Sequence, residues 1–381
     1  MDDTQRFVTV QECEAMIAKA VSDALLKLTR APRPFKLFGL NGTKDYSQKV
    51  ANHLGIPLTP HTEKLFEDGE CYVKSGLEYD DTNVGNVRGH NVFVIQSLFT
   101  DATETVSDKL VKLCIMVGSL KDASAHEVIP IIPHLGWARQ DRKTESRAPI
   151  TTKYIASILE SVGASRVLMV DVHNLSAEQN AFKIPIDNLE AKNIFADWFT
   201  QRLVSEGKAD KVKILSPDSG GLSRCERFRN SLLKRINTLL TKMDPKGAKL
   251  DDIEIVVFDK LRVKGQVRGG RIIGDVAGAE VIAYDDMIST ASTMRKACEA
   301  TKKYGGNVYA ICASHGLFCG KANESLVDLD TKVVIADTVA PWRLNDDNRK
   351  KLVMIDTTKM VADAIRKIHS GTGSISELLR V

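Results

Sequence analysis

The stretch YDDMISTAST, residues 284–293, combines side chains that would bind two different parts of one ligand. Asp285 and Asp286 are adjacent carboxylates. Four hydroxyls follow them, on Ser289, Thr290, Ser292 and Thr293. Hydroxyls and backbone amides at the start of a helix bind phosphate, whereas the carboxylates would accept hydrogen bonds from ribose hydroxyls or bind a hydrated Mg²⁺ that bridges to the sugar. The segment predicts a sugar-phosphate site, and an acidic turn before an ordinary Ser/Thr helix cap is the alternative.

A basic segment, GWARQDRKTESRAP at residues 136–149, follows a strongly apolar run. Its charged side chains include Arg139, Asp141, Arg142, Lys143 and Arg147. Guanidinium groups bind phosphate oxygens in pairs, so the segment suits a polyphosphate ligand. A solvated run of charges is the alternative interpretation.

Two more apolar runs end in side chains that could contribute to a metal site. VDVHN contains Asp171 and His173, which we expect on one face of the chain, and SPDSGG contains Asp218 before a pair of glycines. A histidine and carboxylates that converge at strand ends can hold Mg²⁺ carrying a polyphosphate. A hydrogen-bonded histidine near a domain boundary is the alternative.

The stretch DKLRVKGQVRGGR, residues 259–271, contains three glycines and no aromatic residue. Its cations are Lys260, Arg262, Lys264, Arg268 and Arg271. Without aromatic side chains for base stacking, the stretch would be a poor platform for single-stranded nucleic acid. A mobile loop that brings cations to a phosphoryl group fits better, because catalysis of phosphoryl transfer is mostly positioning and charge stabilisation.

These segments interrupt an alternation of short β-rich runs and helix-length segments that begins near residue 36. The runs include VIPIIP (128–133), RVLMVDV (166–172), VKILSP (212–217) and EVIAYDD (280–286). Continuous apolar strands separated by helices predict the α/β class, with parallel sheets covered on both faces. Ligands bind beyond the carboxyl ends of the strands in such sheets, which is where the polar segments lie.

The chain is 381 residues long. Single hydrophobic cores stop growing at about 250–300 residues, so two domains are expected. We place them at residues 36–187 and 188–381. Residues 1–35 form an extension, in which an amphipathic helix over 9–28 precedes the linker RAPRP and packs on the chain's own body or on a second copy.

Composition excludes several classes of partner. The net charge of +4 gives no strong field, so a nucleic-acid partner is not expected. No run approaches the roughly 18 apolar residues of a membrane helix, so no membrane partner is expected either. The seven cysteines are odd in number and form no C-x-x-C pair, which favours a reducing, cytoplasmic location.

Taken in order, the motifs resemble those of the ribose-phosphate pyrophosphokinase family, whose members make phosphoribosyl pyrophosphate. The resemblance begins near residue 36 and continues to the C-terminus. The motifs that carry it are FEDGE (66–70), NVRG (86–89), ARQDRK (138–143), SRAPIT (146–151), VDVH (170–173), SPDSGG (216–221), DKLR (259–262), IIGDVAG (272–278) and DDMISTAST (285–293).

The resemblance implies two tandem domains of the type I phosphoribosyltransferase fold, each a mainly parallel sheet covered by helices, with the active site between them. Residues 36–187 would form the ATP side and residues 188–381 the ribose 5-phosphate side. The implied reaction transfers the diphosphoryl group of MgATP to the C1 hydroxyl of ribose 5-phosphate, with Mg²⁺ as cofactor. The family habit is a dimer-based homo-oligomer, often a hexamer.

The resemblance also assigns residues by motif. Lys260 and Arg262 resemble the flexible-loop pair that stabilises the transition state, whereas His173 and Asp218 resemble ligands of Mg²⁺ and substrate. The positions that resemble ATP contacts are Arg139 and Gln140, together with Phe66, Asp68 and Glu70, which a neighbouring subunit lends in this family. The positions that resemble the ribose 5-phosphate site are Asp285, Asp286, Ser289, Thr290, Ala291, Ser292 and Thr293.

Two positions depart from the family loop D-T-x-G-T, since Ser289 replaces its Asp and Ser292 its Gly. We expect a weaker sugar contact at Ser289, and at Ser292 a residue less free than glycine to adopt a positive φ. A non-catalytic subunit associated with the enzyme is an alternative, against which the intact Lys260 and Arg262 count. A phosphoribosyltransferase that consumes phosphoribosyl pyrophosphate would leave ARQDRK, VDVH and DKLR without a role.

Overall fold

The computed structural model describes residues 14, 16–21, 33–78, 83–263, 266–327, 329 and 331–380, without the side chains of 260–263 and 266–269. Residues 16–21 are helical and exposed. The rest of the predicted N-terminal helix, apart from residue 14, lies outside the described residues.

The first half of the chain folds around a five-stranded parallel sheet in the order β1-β4-β5-β6-β7. Its strands are β1 (Phe35–Gly39), β4 (Asn91–Ile95), β5 (Glu127–Ile132), β6 (Val167–Val170) and β7 (Ile186–Leu189). The helices between them are α1 (Lys44–Leu54), α2 (Val106–Asp122), α3 (Thr151–Ser161) and α4 (Leu175–Ala181). β2 (His61–Leu65) and β3 (Cys71–Ser75) form a separate antiparallel hairpin.

The second half folds around a seven-stranded sheet in the order β10-β9-β8-β11-β12-β13-β14. Its strands are β8 (Val212–Ser216), β9 (Ile255–Val263), β10 (Gln266–Ile273), β11 (Glu280–Ile288), β12 (Asn307–Gly316), β13 (Lys332–Ala336) and β14 (Leu352–Ile355). The helices are α5 (Lys192–Ser205), α6 (Leu222–Met243), α7 (Ser292–Lys303), α8 (Ala322–Val327), α9 (Asp346–Lys350), α10 (Thr358–Ser370) and α11 (Ser376–Leu379). All neighbouring strands are parallel except β9 and β10, which form an antiparallel hairpin.

Both faces of the first sheet are buried. Leu37 and Phe38, neighbours in β1, belong to different hydrophobic clusters because successive side chains of a strand point to opposite faces. One cluster includes side chains of α2 and α3, and the other those of α1 and α10. The expected α/β class with two helix-covered, mainly parallel sheets is confirmed.

The last long helix returns to the first sheet. Val361 and Ile365 of α10 are buried in one cluster with Leu37 and Phe93, and Tyr46 in α1 contacts Thr357 at 2.9 Å between their hydroxyl oxygens. Part of the segment 188–381 therefore packs on the sheet formed by residues 35–189. No helix among the described residues is long and apolar enough to cross a membrane.

Candidate active site

A cavity of about 920 Å³ lies between the two halves, where the loops after β5, β6, β8 and β11 converge. From the first half, Arg139 and His173 line the cavity, and both follow strands of the first sheet. The predicted residues that line it from the second half are Asp218, Asp285, Asp286, Ser289, Thr290, Ala291, Ser292 and Thr293. Carboxyl ends of strands in an open parallel sheet form ligand-binding crevices. The structure thus brings together ten predicted site residues from four separate motifs.

The loop between β11 and α7 has the form of an anion site. Its last residue, Ala291, has φ 58° and ψ −1°, in the left-handed region, and the 12-residue helix α7 begins at Ser292. Thr290 and Ser292, whose hydroxyl oxygens lie 2.9 Å apart, line the cavity. The amides of the first turn of a helix have no partner within the helix and can bind an anion. Arg139 Nη1 lies 3.5 Å from Ser289 Oγ, so a cation from the first half reaches this loop.

The expectation that position 292 requires a positive φ is wrong. Ser292 is the first residue of α7 and takes no positive φ, whereas the preceding Ala291 does. An alanine in the left-handed region is strained by roughly 1–2 kcal/mol, because its Cβ approaches the following carbonyl oxygen. The conformational demand of the loop therefore falls on Ala291, and serine is compatible with position 292.

The adjacent carboxylates share one arginine. Arg224 Nη1 lies 2.8 Å from Asp285 Oδ1 and 3.2 Å from Asp286 Oδ1, and its side chain is only 16% exposed. Burial and the neighbouring charge of Asp286 raise the pKa of Asp285 to about 8. Burial also acts to raise the pKa of Asp286, but the hydrogen bond from His173 and the charge of Arg224 outweigh it and hold that pKa below its ordinary value. The two carboxylates therefore repel each other, and Arg224 and His173 compensate their charge.

His173 connects the two halves of the site. Its Nδ1 donates to Asp286 Oδ2 at 2.7 Å, and Arg224 Nη2 donates to its carbonyl oxygen at 3.3 Å. The hydrogen bond to Asp286 raises the pKa of His173, although burial opposes this shift. A histidine that bonds a carboxylate through one nitrogen has a fixed ring orientation and presents the other nitrogen to a ligand.

The expectation that Asp171 and His173 share one strand face is wrong. β6 ends at Val170, and Asp171 takes a left-handed φ of 42°, so the two side chains follow a turn instead of an extended strand. The Asp171 carboxylate accepts from the backbone N–H of Ala191 at 3.0 Å and from Ser314 Oγ at 2.5 Å. Asp171 lines the cavity, but hydrogen bonds within the protein hold its carboxylate.

Asp218 stands at the turn that leads into α6. One of its carboxylate oxygens accepts from the N–H of Gly221 at 3.2 Å, and the Ser216 hydroxyl donates to its carbonyl oxygen at 2.6 Å. Within the described part of the chain, no three His, Cys, Asp or Glu side chains are grouped as a metal site. This donor set fits Mg²⁺ that arrives on ATP, because Mg²⁺ commonly takes one or two protein ligands and fills its other positions with phosphate oxygens and water.

The other predicted residues lie elsewhere. Gln140 lines a neighbouring cavity of about 390 Å³, which Arg139 also lines, and its side-chain oxygen accepts from the Thr151 hydroxyl. Phe66, Asp68 and Glu70 belong to the exposed turn between β2 and β3, outside the main cavity, where Phe66 is 54% exposed.

The predicted catalytic cations lie on the β9–β10 hairpin. The backbone of Lys260 pairs with Gly270 and that of Arg262 with Val267. Their side chains lie outside the described part of the protein.

Sequence reasoning missed Arg224, the cation at the centre of the site. It stands six residues after Asp218, in the first turn of α6, where a single arginine ordinarily indicates a solvated helix end. The available signal was its place directly after SPDSGG, because a helix that starts at a strand end points its first turn towards the ligand crevice.

Comparisons with known proteins agree with this arrangement. The family model described as the N-terminal domain of ribose phosphate pyrophosphokinase matches residues 35–163, and the model of the phosphoribosyl synthetase-associated domain matches residues 259–380. The ribose-phosphate pyrophosphokinase 1 of Lactococcus lactis is 35% identical over 337 residues, which cover 88% of this chain and 93% of that protein. The ribose-phosphate pyrophosphokinase of Caldanaerobacter subterraneus is 34% identical over 353 residues, covering 92% of this chain and 99% of that protein.

A solved structure shares the fold as well. The phosphoribosylpyrophosphate synthetase of Mycobacterium smegmatis superposes with a TM-score of 0.74 at 26% identity, covering 89% of this chain and all of that one. Sequence likeness of this extent along nearly the whole of both chains is shared descent, and the chain belongs to the ribose-phosphate pyrophosphokinase family.

Proposed function

We propose that this protein is a ribose-phosphate diphosphokinase, which makes phosphoribosyl pyrophosphate and AMP from ATP and ribose 5-phosphate. The C1 hydroxyl oxygen of the sugar attacks the β-phosphorus of ATP, and the bond from that phosphorus to the bridging oxygen breaks, with its electron pair remaining on the phosphate of AMP. The hydroxyl proton passes to solvent water. The observation that carries the proposal is a helix N-terminal anion loop directly beside an aspartate pair, in one cavity with Arg139 and His173. The full-length relatives that bear this enzyme's name support it.

The sugar end of the site is the β11–α7 loop. The amides and hydroxyls of residues 289–293 bind the 5-phosphate, because the start of α7 offers unpaired N–H donors and a favourable dipole. Asp285 and Asp286 accept hydrogen bonds from the ribose hydroxyls. An ionised phosphate has no such donors, so the carboxylates bind the sugar end of the ligand. The C1 hydroxyl is thereby held close to Arg139 and His173.

The nucleotide end of the site is built around Arg139 and Gln140. We assign the adenine contact to Phe66, Asp68 and Glu70 of a neighbouring subunit, since their turn is exposed and lies outside the cavity of its own chain. An exposed aromatic ring is suited to stacking on a base. The active form is then a homo-oligomer, dimer-based and up to a hexamer, because each site needs a second copy of the chain.

His173 and Asp218 would hold the Mg²⁺ that accompanies ATP. Bound there, the ion would neutralise charge on the transferred phosphates. The protein's own contribution is to fix these two side chains, through Asp286 for His173 and through the Gly221 amide for Asp218. Lys260 and Arg262 supply additional positive charge from the β9–β10 hairpin when phosphate charge develops.

We place the enzyme in the cytoplasm. The six cysteines within the described residues are free thiols, as is usual in a reducing compartment. The non-catalytic associated subunit remains the alternative function, and relatives named as the enzyme over nearly their whole length do not favour it.

Incubation of the protein with ATP, ribose 5-phosphate and Mg²⁺ tests the proposal. AMP is measured by chromatography and phosphoribosyl pyrophosphate by ³¹P NMR, with ribose 5-phosphate omitted as the control. We expect the two products in equal amounts and only with the sugar present. ADP in place of AMP would indicate monophosphoryl transfer, and no consumption of ATP would favour the associated subunit.

A further inference from the structure

The turn that delivers His173 into the cavity has a strained backbone. Asp171 directly follows β6 with φ 42°, in the positive-φ range that residues with a Cβ adopt uncommonly, although aspartate does so more often than most. Its N–H donates to the carbonyl of Leu189 at 2.8 Å, as an extension of the β6–β7 ladder. The N–H of the next residue, Val172, donates to Asn188 Oδ1 at 3.0 Å, and the Asp171 carboxylate accepts from the N–H of Ala191. These contacts hold the amides of the turn, whereas its two carbonyls need other partners.

The partners of these carbonyls, and a second donor to the Asp171 carboxylate, come from the other half of the molecule. Ser314 Oγ, in β12, donates to Asp171 Oδ2 at 2.5 Å. The next residue, His315, places Nε2 3.1 Å from the carbonyl oxygen of Val170 and 3.2 Å from that of Asp171. Two consecutive residues of the second sheet thus bind the side chain and both carbonyls of the turn.

The hydrogen position on His315 follows from its partners. Carbonyl oxygens only accept, so a hydrogen must be on Nε2. Nδ1 lies 2.8 Å from the Thr338 hydroxyl oxygen, whose single hydrogen is shared between this nitrogen and the Ser314 carbonyl oxygen at 3.0 Å. Burial lowers the pKa of His315 to about 4, which keeps this neutral form at physiological pH. The ring also lies against His134, with 4.5 Å between centroids. His315 is fixed on every side and can act as a rigid donor.

We propose that Ser314 and His315 are positioning residues that hold the Val170–Asp171 turn, and thereby His173, in the orientation that bonds Asp286. Neither is among the residues that line the cavity, so both act through another residue. Without them, the two carbonyls of the turn would lose these partners, and the peptides that lead to His173 would be free to rotate. A shift of about 1 Å in a reacting group lowers rates by about 100-fold. The inference rests on the proposed function only for the role of His173.

The test uses three variants and one matched control. Ser314→Ala and His315→Leu remove the contacts, and His315→Gln keeps an amide N–H close to the position of Nε2. Tyr46→Phe is the control, since it removes another buried side-chain contact that joins distant parts of the chain, the one to Thr357. The first readout is the NMR signal of the His173 ring in ligand-free protein carrying ¹³C-labelled histidine, identified by its loss in His173→Gln.

We expect Ser314→Ala and His315→Leu to shift or broaden the His173 signal and to lower kcat by about 10- to 100-fold. The KM for ribose 5-phosphate should change by less than about twofold, because the β11–α7 loop is untouched. His315→Gln should keep the wild-type signal and recover most of kcat. Tyr46→Phe should lower only the melting temperature. The change in kcat at constant KM and the rescue by glutamine separate positioning from general stability.

An unchanged His173 signal in folded Ser314→Ala and His315→Leu would overturn the inference, as would a glutamine variant no better than the leucine variant. If His315→Leu does not fold, Ser314→Ala alone decides, because it removes one hydroxyl. The NMR readout needs no substrate. A wild-type protein that makes no phosphoribosyl pyrophosphate would therefore refute the proposed function while the His173 signal still tests this inference.

Discussion

Arg224 balances the charge of the site at the scale of single residues. Two adjacent carboxylates, largely shielded from solvent, repel each other, and the pKa of Asp285 is raised to about 8 by burial and by the charge of Asp286. Arg224 contacts both groups and also the carbonyl of His173. One guanidinium therefore connects the aspartate pair proposed to bind the sugar to the histidine proposed to hold Mg²⁺.

Replacing Arg224 by glutamine should weaken sugar binding and stability together. The buried carboxylates would lose their cation, and breaking a buried ion pair costs about 3–5 kcal/mol. We expect the KM for ribose 5-phosphate to rise at least about tenfold, with a smaller change for ATP, and the free energy of unfolding in urea to fall. Arg229→Gln, in the same helix and paired with the exposed Asp252, is the control. Equal effects in both variants would contradict the role given to Arg224.

Replacing Glu178 by glutamine should stabilise the protein in a pH-dependent way. Glu178 is buried in α4, and burial raises its pKa to about 7 although Thr152 lies 3.4 Å away. At pH values between the ordinary carboxyl pKa and the raised pKa, Glu178 is protonated in the folded state and ionised in the unfolded state. The stability of the wild-type protein therefore falls as the pH rises through this range, whereas glutamine cannot ionise and its variant keeps its stability. The gain in unfolding free energy from Glu178→Gln should be about 2–3 kcal/mol larger at pH 8 than at pH 5. If urea titrations gave the same gain in unfolding free energy at pH 5 and pH 8, the raised pKa of Glu178 would be refuted.

Individual residues were predictable from the sequence where the residue type alone limits the chemistry. The Asp285–Asp286 pair, His173, Asp218 and Arg139 lie in one cavity as their strand-end positions indicate. Arg224 was not predictable in this way, since its role comes from partners 61 and 51 residues away. The left-handed backbone of Asp171 depends on Ser314 and His315, so no local pattern indicates it.

Single elements position the anion loop and the β9–β10 hairpin. In the β11–α7 loop the strained position is Ala291, which is buried and left-handed. The free energy of unfolding of Ala291→Gly should lie within about 1 kcal/mol of the wild-type value or above it. Ala291→Val should have a lower free energy of unfolding, because a β-branched residue at positive φ is a steric outlier. Only the valine variant should lose affinity for ribose 5-phosphate in calorimetry. Wild-type affinity in a folded valine variant would show that the loop does not need this conformation.

The β9–β10 hairpin is expected to act in the transition state. Lys260→Ala should lower kcat by at least about 100-fold with little change in ATP affinity, because a charge needed only in the transition state contributes little to ground-state binding. Lys350→Ala, which removes an exposed lysine paired with Asp347, is the control for loss of a positive charge. Equal turnover in Lys260→Ala and wild type would reject the role.

Elements were predictable as far as hydrophobic pattern determines them. Helix-length segments were expected between the apolar runs, and helices are present there, among them α2, α3, α5 and α7. The EVIAYDD run was expected to end at Asp286, but β11 continues to Ile288 because β12 pairs with it that far. The antiparallel β10 was not predicted, since glycine and arginine do not form an apolar strand pattern.

At the scale of the whole molecule, contacts between distant parts of the chain fix the cavity. Trp342 Nε1 donates to the carbonyl of Thr100 at 2.7 Å, and α10 packs on the first sheet. Tyr46 and Thr357, which touch, are 311 residues apart. Hydrophobic periodicity reports only that a helix has an apolar face and does not say which sheet the face covers. The sequence therefore predicted two sheets but not the return of α10 to the first of them.

Mixing two inactive variants should restore activity if neighbouring subunits complete each site. One variant carries Phe66→Ala and Asp68→Ala in the β2–β3 turn, and the other carries Lys260→Ala. After unfolding and refolding together in equal amounts, about a quarter of the sites in a closed homo-oligomer would combine an intact turn with an intact hairpin. We expect roughly that fraction of wild-type turnover. No recovery in a mixture shown by mass spectrometry to contain hybrid oligomers would place the turn outside the site.

A crystal structure with ribose 5-phosphate and a non-hydrolysable ATP analogue tests the central claim most directly. The account predicts the 5-phosphate on the amides of residues 289–293, the ribose hydroxyls on Asp285 and Asp286, and the C1 oxygen facing the β-phosphorus of the analogue. Sugar phosphate bound elsewhere, with the cavity of the β11–α7 loop empty at saturating ligand, would contradict it.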